Sequence, residues 1–126
     1  MGACVFAFIE INHNDEWIIA DDLVEDEDYE GKPVPKNVAP YWWGKSAYAD
    51  IYELSGERGF PADLSAEMLS FIKEYWQDAN RPSWLLMSEL KHLQEDANGR
   101  CPAIDLTLFP SALPDSEVRL VFWADQ

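Results

Sequence analysis

With 126 residues, 48% of them hydrophobic, the chain has enough material for one ordinary core and too little for two, so a single domain over residues 1–126 is expected. Its 24 acidic and 9 basic side chains give a formal net charge of -15, which works against direct binding to a nucleic-acid backbone and favours basic partner surfaces. Apolar runs such as Trp84 to Met87 and Leu120 to Ala124 are far too short for a membrane span, and the N-terminus lacks the basic start and long apolar stretch of a signal peptide, so a cytoplasmic protein without a membrane is expected.

Along the chain, Ala3, Val5, Ala7, Ile9 and Ile11 alternate with Cys4, Phe6, Phe8 and Glu10, the pattern of a strand with two mostly apolar faces. Asn12-His13-Asn14-Asp15 supplies turn chemistry, and Glu16 to Ala20 reads as the returning strand of a hairpin. Seven of the ten residues from Asp21 to Glu30 are acidic, and with the proline-bearing Gly31 to Pro35 they read as a long solvated loop. Tyr41-Trp42-Trp43-Gly44 marks the return to packed structure, and Ala47 to Leu54 has helical spacing.

Gly56 to Pro61 reads as a connector, followed by a helix capped by Ser65 with Met68, Leu69, Ile72 and Trp76 as its inward stripe. Asn80-Arg81-Pro82 reads as a break, with Ser83 as a turn or capping hydroxyl. A further helix is expected from about Leu86 to Ala97, ended by Asn98-Gly99. Ile104 to Phe109 and Val118 to Trp123 then alternate as strands. The expected class is α+β: a single sheet of about four strands, largely antiparallel, with two to three helices packed against it.

Three segments carry a resemblance. Arg58-Gly59-Phe60-Pro61-Ala62-Asp63-Leu64-Ser65, Asp78-Ala79-Asn80-Arg81-Pro82-Ser83-Trp84-Leu85 and Val118-Arg119-Leu120-Val121-Phe122-Trp123-Ala124-Asp125 resemble a family of small phage and prophage proteins. Members of that family open Met-Gly-Cys-Asp-Ile-His, carry Arg-Gly-Leu-Pro-x-Asp-x-Ser and Asp-x-His-Ser-x-Ser-Trp-Leu, and close Val-Arg-x-Val-Phe-Trp-Phe-Asp. The resemblance implies a phage setting in a bacterial host cell and names no reaction. This chain departs from the family at its reactive positions. Ala3-Cys4-Val5-Phe6 stands where relatives group Cys, Asp and His, and Asp78-Ala79-Asn80-Arg81 where they have Asp-x-His-Ser.

No catalytic residue, metal site or cofactor is therefore expected. His13 and His92 fall at no family histidine position and read as surface, and Cys4 and Cys101, near opposite ends, read as two reduced thiols. Two functional readings remain. In the first, a non-catalytic accessory protein inhibits a host factor, such as a CRISPR effector or another nucleic-acid-binding defence component. It does so through an acidic and aromatic surface of Glu25, Asp26, Glu27, Asp28, Tyr29, Glu30, Tyr41, Trp42 and Trp43 that meets a basic partner. In the second, Arg58, Asp63 and Asp78 form a nucleotide-binding or weakly catalytic cleft. A monomer is expected, or a homodimer joined through Tyr41-Trp42-Trp43.

Overall fold

The computed structural model describes residues 4–20, 23–26, 32–35, 45–77, 79–96, 110 and 112–125. In chain order the elements are β1 (Cys4–His13), β2 (Glu16–Ile19), β3 (Leu23–Asp26), β4 (Lys32–Pro35), α1 (Lys45–Leu54), α2 (Ala66–Tyr75), β5 (Asn80–Leu86), α3 (Met87–Asp96), a short 3-10 turn (Asp115–Glu117) and β6 (Val118–Asp125). β2, β1, β6 and β5 form one antiparallel sheet in that order, and β3 pairs with β4 in a separate two-stranded ribbon. The architecture is α+β, as the alternating patterns imply.

Because both faces of β1 are apolar, the sheet needs a cover on each side. On one face, Ala7, Ile9, Leu85, Leu120 and Phe122 pack with Ile51 of α1 and Leu90 of α3. On the other, Phe6, Phe8, Val121 and Trp123 pack with Met68, Ile72 and Trp76 at α2. The second cluster is dominated by aromatics: Trp123 stacks on Phe8 at 5.4 Å and meets Trp76 edge-on at 5.1 Å. Such rings bury large apolar areas in favourable geometries, and this pairing fixes the register of β1 on β6.

The hairpin turn is tighter than the sequence implies. His13 still belongs to β1, and only Asn14 and Asp15 form the loop, at φ of 53° and 64°. Both angles are left-handed, as a two-residue hairpin of this twist requires, and Asn and Asp are the non-glycine residues that tolerate them. Ser65 caps α2 as expected, its hydroxyl accepting the Met68 N–H at 3.2 Å. Leu69, expected to face inward, is 45% exposed, because Met68 and Ile72 define the buried stripe and Leu69 lies about 100° further round.

Three strands depart from the reading as loops and breaks. Asn80 to Leu86 is β5, which tolerates Pro82 because it lies at the sheet edge and takes up a bulge between Asn80 and Ser83, with Arg81 at φ 51°. Ser83 is a buried strand residue and not a helix cap. Part of the stretch read as a loop is the β3–β4 ribbon, where Pro33 and Pro35 occupy a strand with one neighbour among the described residues. The expected strand at Ile104 to Phe109, together with Cys101, lies outside the described residues. Among the described residues no helix is long and apolar enough to cross a membrane.

Candidate functional site

The segment from Arg58 to Asp63 is a strap joining α1, on one face of the sheet, to α2 on the other, and both of its ends are fastened by ions. Arg58 reaches the outer edge of β5 and forms a bidentate pair with Glu89 of α3, at 2.8 and 2.6 Å. The same guanidinium donates to the Trp84 carbonyl at 3.0 Å and lies 4.7 Å from the centre of the Trp84 ring. Glu89 accepts the Leu86 N–H as well, in the manner of a third helical residue reaching back to its own N-terminus. The Trp84 carbonyl and the Leu86 N–H are thus capped, and Pro82 has no N–H to offer, so the β5 edge is poorly suited to further pairing.

The Arg58 main chain is fixed too. Its N–H donates to the Ser83 hydroxyl at 3.2 Å; Ser83 lies 2.6 Å from Ser55, whose hydroxyl donates to the Tyr52 carbonyl at 2.7 Å. With the single Ser55 proton committed to Tyr52, Ser83 supplies the proton between the two hydroxyls. Ser83 is therefore a link in a hydrogen-bonded chain from the strap to α1.

Asp63 ends the strap over the α2 face. Its carboxylate accepts from Arg119 at 2.8 Å, and Arg119 also donates to the Asp63 carbonyl at 3.3 Å. Arg119 is 2% exposed, and its cross-strand partner Glu10 is fully buried, with Nε donating to Oε1 at 2.7 Å. The other Glu10 oxygen accepts the Ser65 N–H at 3.0 Å, so the carboxylate also anchors the start of α2. The Trp17 ring lies 3.9 Å from the Arg119 guanidinium, which is thus held by two carboxylates and an aromatic face.

These contacts shift the carboxylates in a consistent direction. The hydrogen bond from Arg119 holds Asp63 below the ordinary aspartate range against partial desolvation, and that from Arg58 does the same for Glu89. A folded-state pKa below the unfolded value gives stability that is present above the unfolded carboxylate range and lost as pH falls through the folded value. The thermal midpoint is therefore expected to fall on acidification below about pH 4, where free carboxylates begin to protonate. Asp63→Asn and Glu89→Gln should each flatten that fall in a melting series from neutral to acid, Asp63→Asn by less because its carboxylate is largely in solvent.

Of the residues singled out for a ligand cleft, Arg58 and Asp63 are engaged in separate ion pairs, with Trp84 and Arg119 between them, and Asp78 lies outside the described residues. Arg58 does border an open cleft of about 300 Å³, floored by Leu54, Leu85 and Leu93 and rimmed by Ser88, Glu89 and His92. An anion approaching Arg58 there would compete with its bidentate carboxylate. Asp63 does not cap α2 with its side chain, a role that Ser65 fills. Glu25 and Asp26 belong to β3, paired through the backbone with Pro33 and Lys32. Glu27, Asp28, Tyr29, Glu30, Tyr41, Trp42 and Trp43 lie outside the described residues.

Glu10 and Arg119 were not singled out, although a signal for them exists. Each is a charge flanked by apolar strand residues, and a buried charge requires an opposite partner. The fold and these contacts together define an antiparallel sheet protein, covered on both faces, whose buried polar side chains among the described residues, Glu10, Ser55, Ser65, Ser83 and Arg119, all belong to internal clamps. No protein-family model, no curated protein and no solved structure matches the chain.

Proposed function

We propose that this chain is a non-catalytic accessory protein that works by docking its negative surface on a basic region of a host protein. The observation that carries this reading is the way charge is divided. Three of the nine basic side chains, Arg58, Lys91 and Arg119, face carboxylates within the molecule, so a third of its cations add little positive potential at the surface. Exposed carboxylates at Asp15, Glu16, Glu57, Glu67, Glu74 and Glu95 then act with few opposing charges. A field of that sign speeds encounter with a basic protein and repels nucleic acid.

The resemblance to phage proteins supports a bacterial cytoplasmic setting, in which basic nucleic-acid channels of defence complexes are natural targets. On this reading the acidic run from Asp21 to Glu30 is the main contact, with the aromatic Tyr41-Trp42-Trp43 beside it, and inhibition follows from occupying the partner's basic site. Replacement of Glu25, Asp26, Glu27, Asp28 and Glu30 by Lys is expected to abolish retention of the host partner without lowering the melting temperature, since a run of like charges repels itself and adds little to packing. Retention by the parent should weaken with added salt as screening shortens the field. Equal retention by the reversed variant would overturn the acidic interface.

A further inference from the structure

The sheet has two edges, and the chain treats them differently. At β5 the Trp84 carbonyl and the Leu86 N–H are capped by Arg58 and Glu89, and Pro82 and a bulge interrupt the strand. At β2 there is no comparable device among the described residues. The Ala20 N–H bonds the Ile9 carbonyl, which sets the ladder so that Glu16 and Ile18 face β1 with their main-chain groups. Those of Trp17 and Ile19 therefore point away from the sheet, and among the described residues no strand pairs with that side. Ile18, between them, is one of the large apolar side chains left exposed, at 39%. The strand is also held rigid, because the Trp17 ring is clamped against the buried Arg119 guanidinium.

We infer that the outer edge of β2 is a strand-docking site that takes an extended, lysine- or arginine-bearing segment of the partner protein as a fifth strand of the sheet. The inference rests on the proposed binding role and specifies how the partner is held. Main-chain hydrogen bonds to Trp17 and Ile19 supply affinity, Ile18 packs against an apolar side chain of the added strand, and exposed Asp15 and Glu16 select a basic residue beside it. Charge decides between a foreign segment and a second copy of this chain. Self-pairing would bring two molecules of net charge -15 edge to edge, with Asp15 and Glu16 of each at the joint.

The probe is a synthetic peptide, Lys-Lys-Val-Thr-Val-Thr-Lys-Lys, added to the full chain while amide hydrogen exchange is followed residue by residue. In the free protein the amides of Trp17 and Ile19 should exchange quickly and that of Ile18 slowly. Saturating peptide should slow Trp17 and Ile19 by about tenfold or more, since they become laddered. Ile19→Pro, which removes an outward N–H without touching the ladder to β1, should abolish peptide binding; it also trims a side chain packed against the Phe6–Trp123 cluster, so its melting temperature should fall and binding is read well below that midpoint. A peptide N-methylated at alternate residues, used with the parent protein, gives the same loss independently of how that variant folds.

Peptide binding that leaves Trp17 and Ile19 unprotected would overturn the edge while leaving a basic partner in place. Absence of binding would overturn it too, whereas the charge-reversal experiment reads the acidic surface separately. Concentration-dependent dimerisation that protects the same two amides would replace the foreign strand by a second copy.

Discussion

Arg119→Leu is expected to destabilise the protein by about 3–5 kcal/mol, the usual cost of leaving one member of a buried ion pair alone. Glu10 is fully buried, and Arg119 is its one cationic partner among the described residues, so the substitution leaves a carboxylate satisfied there by little more than the Ser65 N–H. It also frees Asp63 and removes the surface on which Trp17 lies, so the end of the strap and the β2 edge both lose their anchor. The thermal midpoint should fall by roughly 10–20 °C for a domain of this size. Glu10→Gln should cost less, because the amide oxygen still accepts from Ser65 and Arg119 keeps Asp63.

The double variant Glu10→Gln with Arg119→Leu separates a pair that stabilises from a pair that is merely costly to break. It contains no buried charge at this position, so it should recover at least half of the loss caused by Arg119→Leu, and a double-mutant cycle should show strong coupling. A double variant as unstable as the sum of the two single changes would mean that the guanidinium acts through packing and not through its charge.

The distribution of that network along the chain explains what could be read from sequence. The faces of β1, the cap at Ser65 and the final strand follow from patterns within a few residues, where apolar alternation and one hydroxyl decide the outcome. β5 was hidden because Arg81-Pro82 has the composition of a break; only its place at the sheet edge, with a bulge and an αL arginine, makes proline acceptable in a strand. β3 and β4 were hidden by carboxylates and prolines that a two-stranded ribbon accommodates. Arg58 and Asp63 stood out as reactive side-chain types, yet what they do is set by Glu89 and Arg119, which are 31 and 56 positions away in the chain. No local pattern encodes such pairings. A lone Glu in one apolar strand and a lone Arg in another do imply a pair, and in an antiparallel sheet they meet directly across the ladder.

Trp123→Ala should produce a loss of similar size, about 3–5 kcal/mol, through a different physical cause. The Trp123 side chain is fully buried and touches rings on four sides: Phe6 and Phe8 stacked, Trp76 and Phe60 edge-on at 5.1 and 5.7 Å. Alanine leaves a cavity walled by stiff aromatic rings that cannot collapse into it, so the cost lies toward the top of that range. Trp123→Phe should cost only about 1–2 kcal/mol, because the ring contacts are largely kept. The indole N–H has no acceptor among the described residues, so Phe forfeits no hydrogen bond to them. Urea unfolding followed by far-ultraviolet circular dichroism, which does not depend on the lost fluorophore, measures both. Phe60 ties this cluster to the strap, so Trp123→Ala should also speed amide exchange between Arg58 and Asp63 relative to α3, while Trp123→Phe should not. Equal losses for Ala and Phe would instead make the indole N–H, and an acceptor for it, the important group.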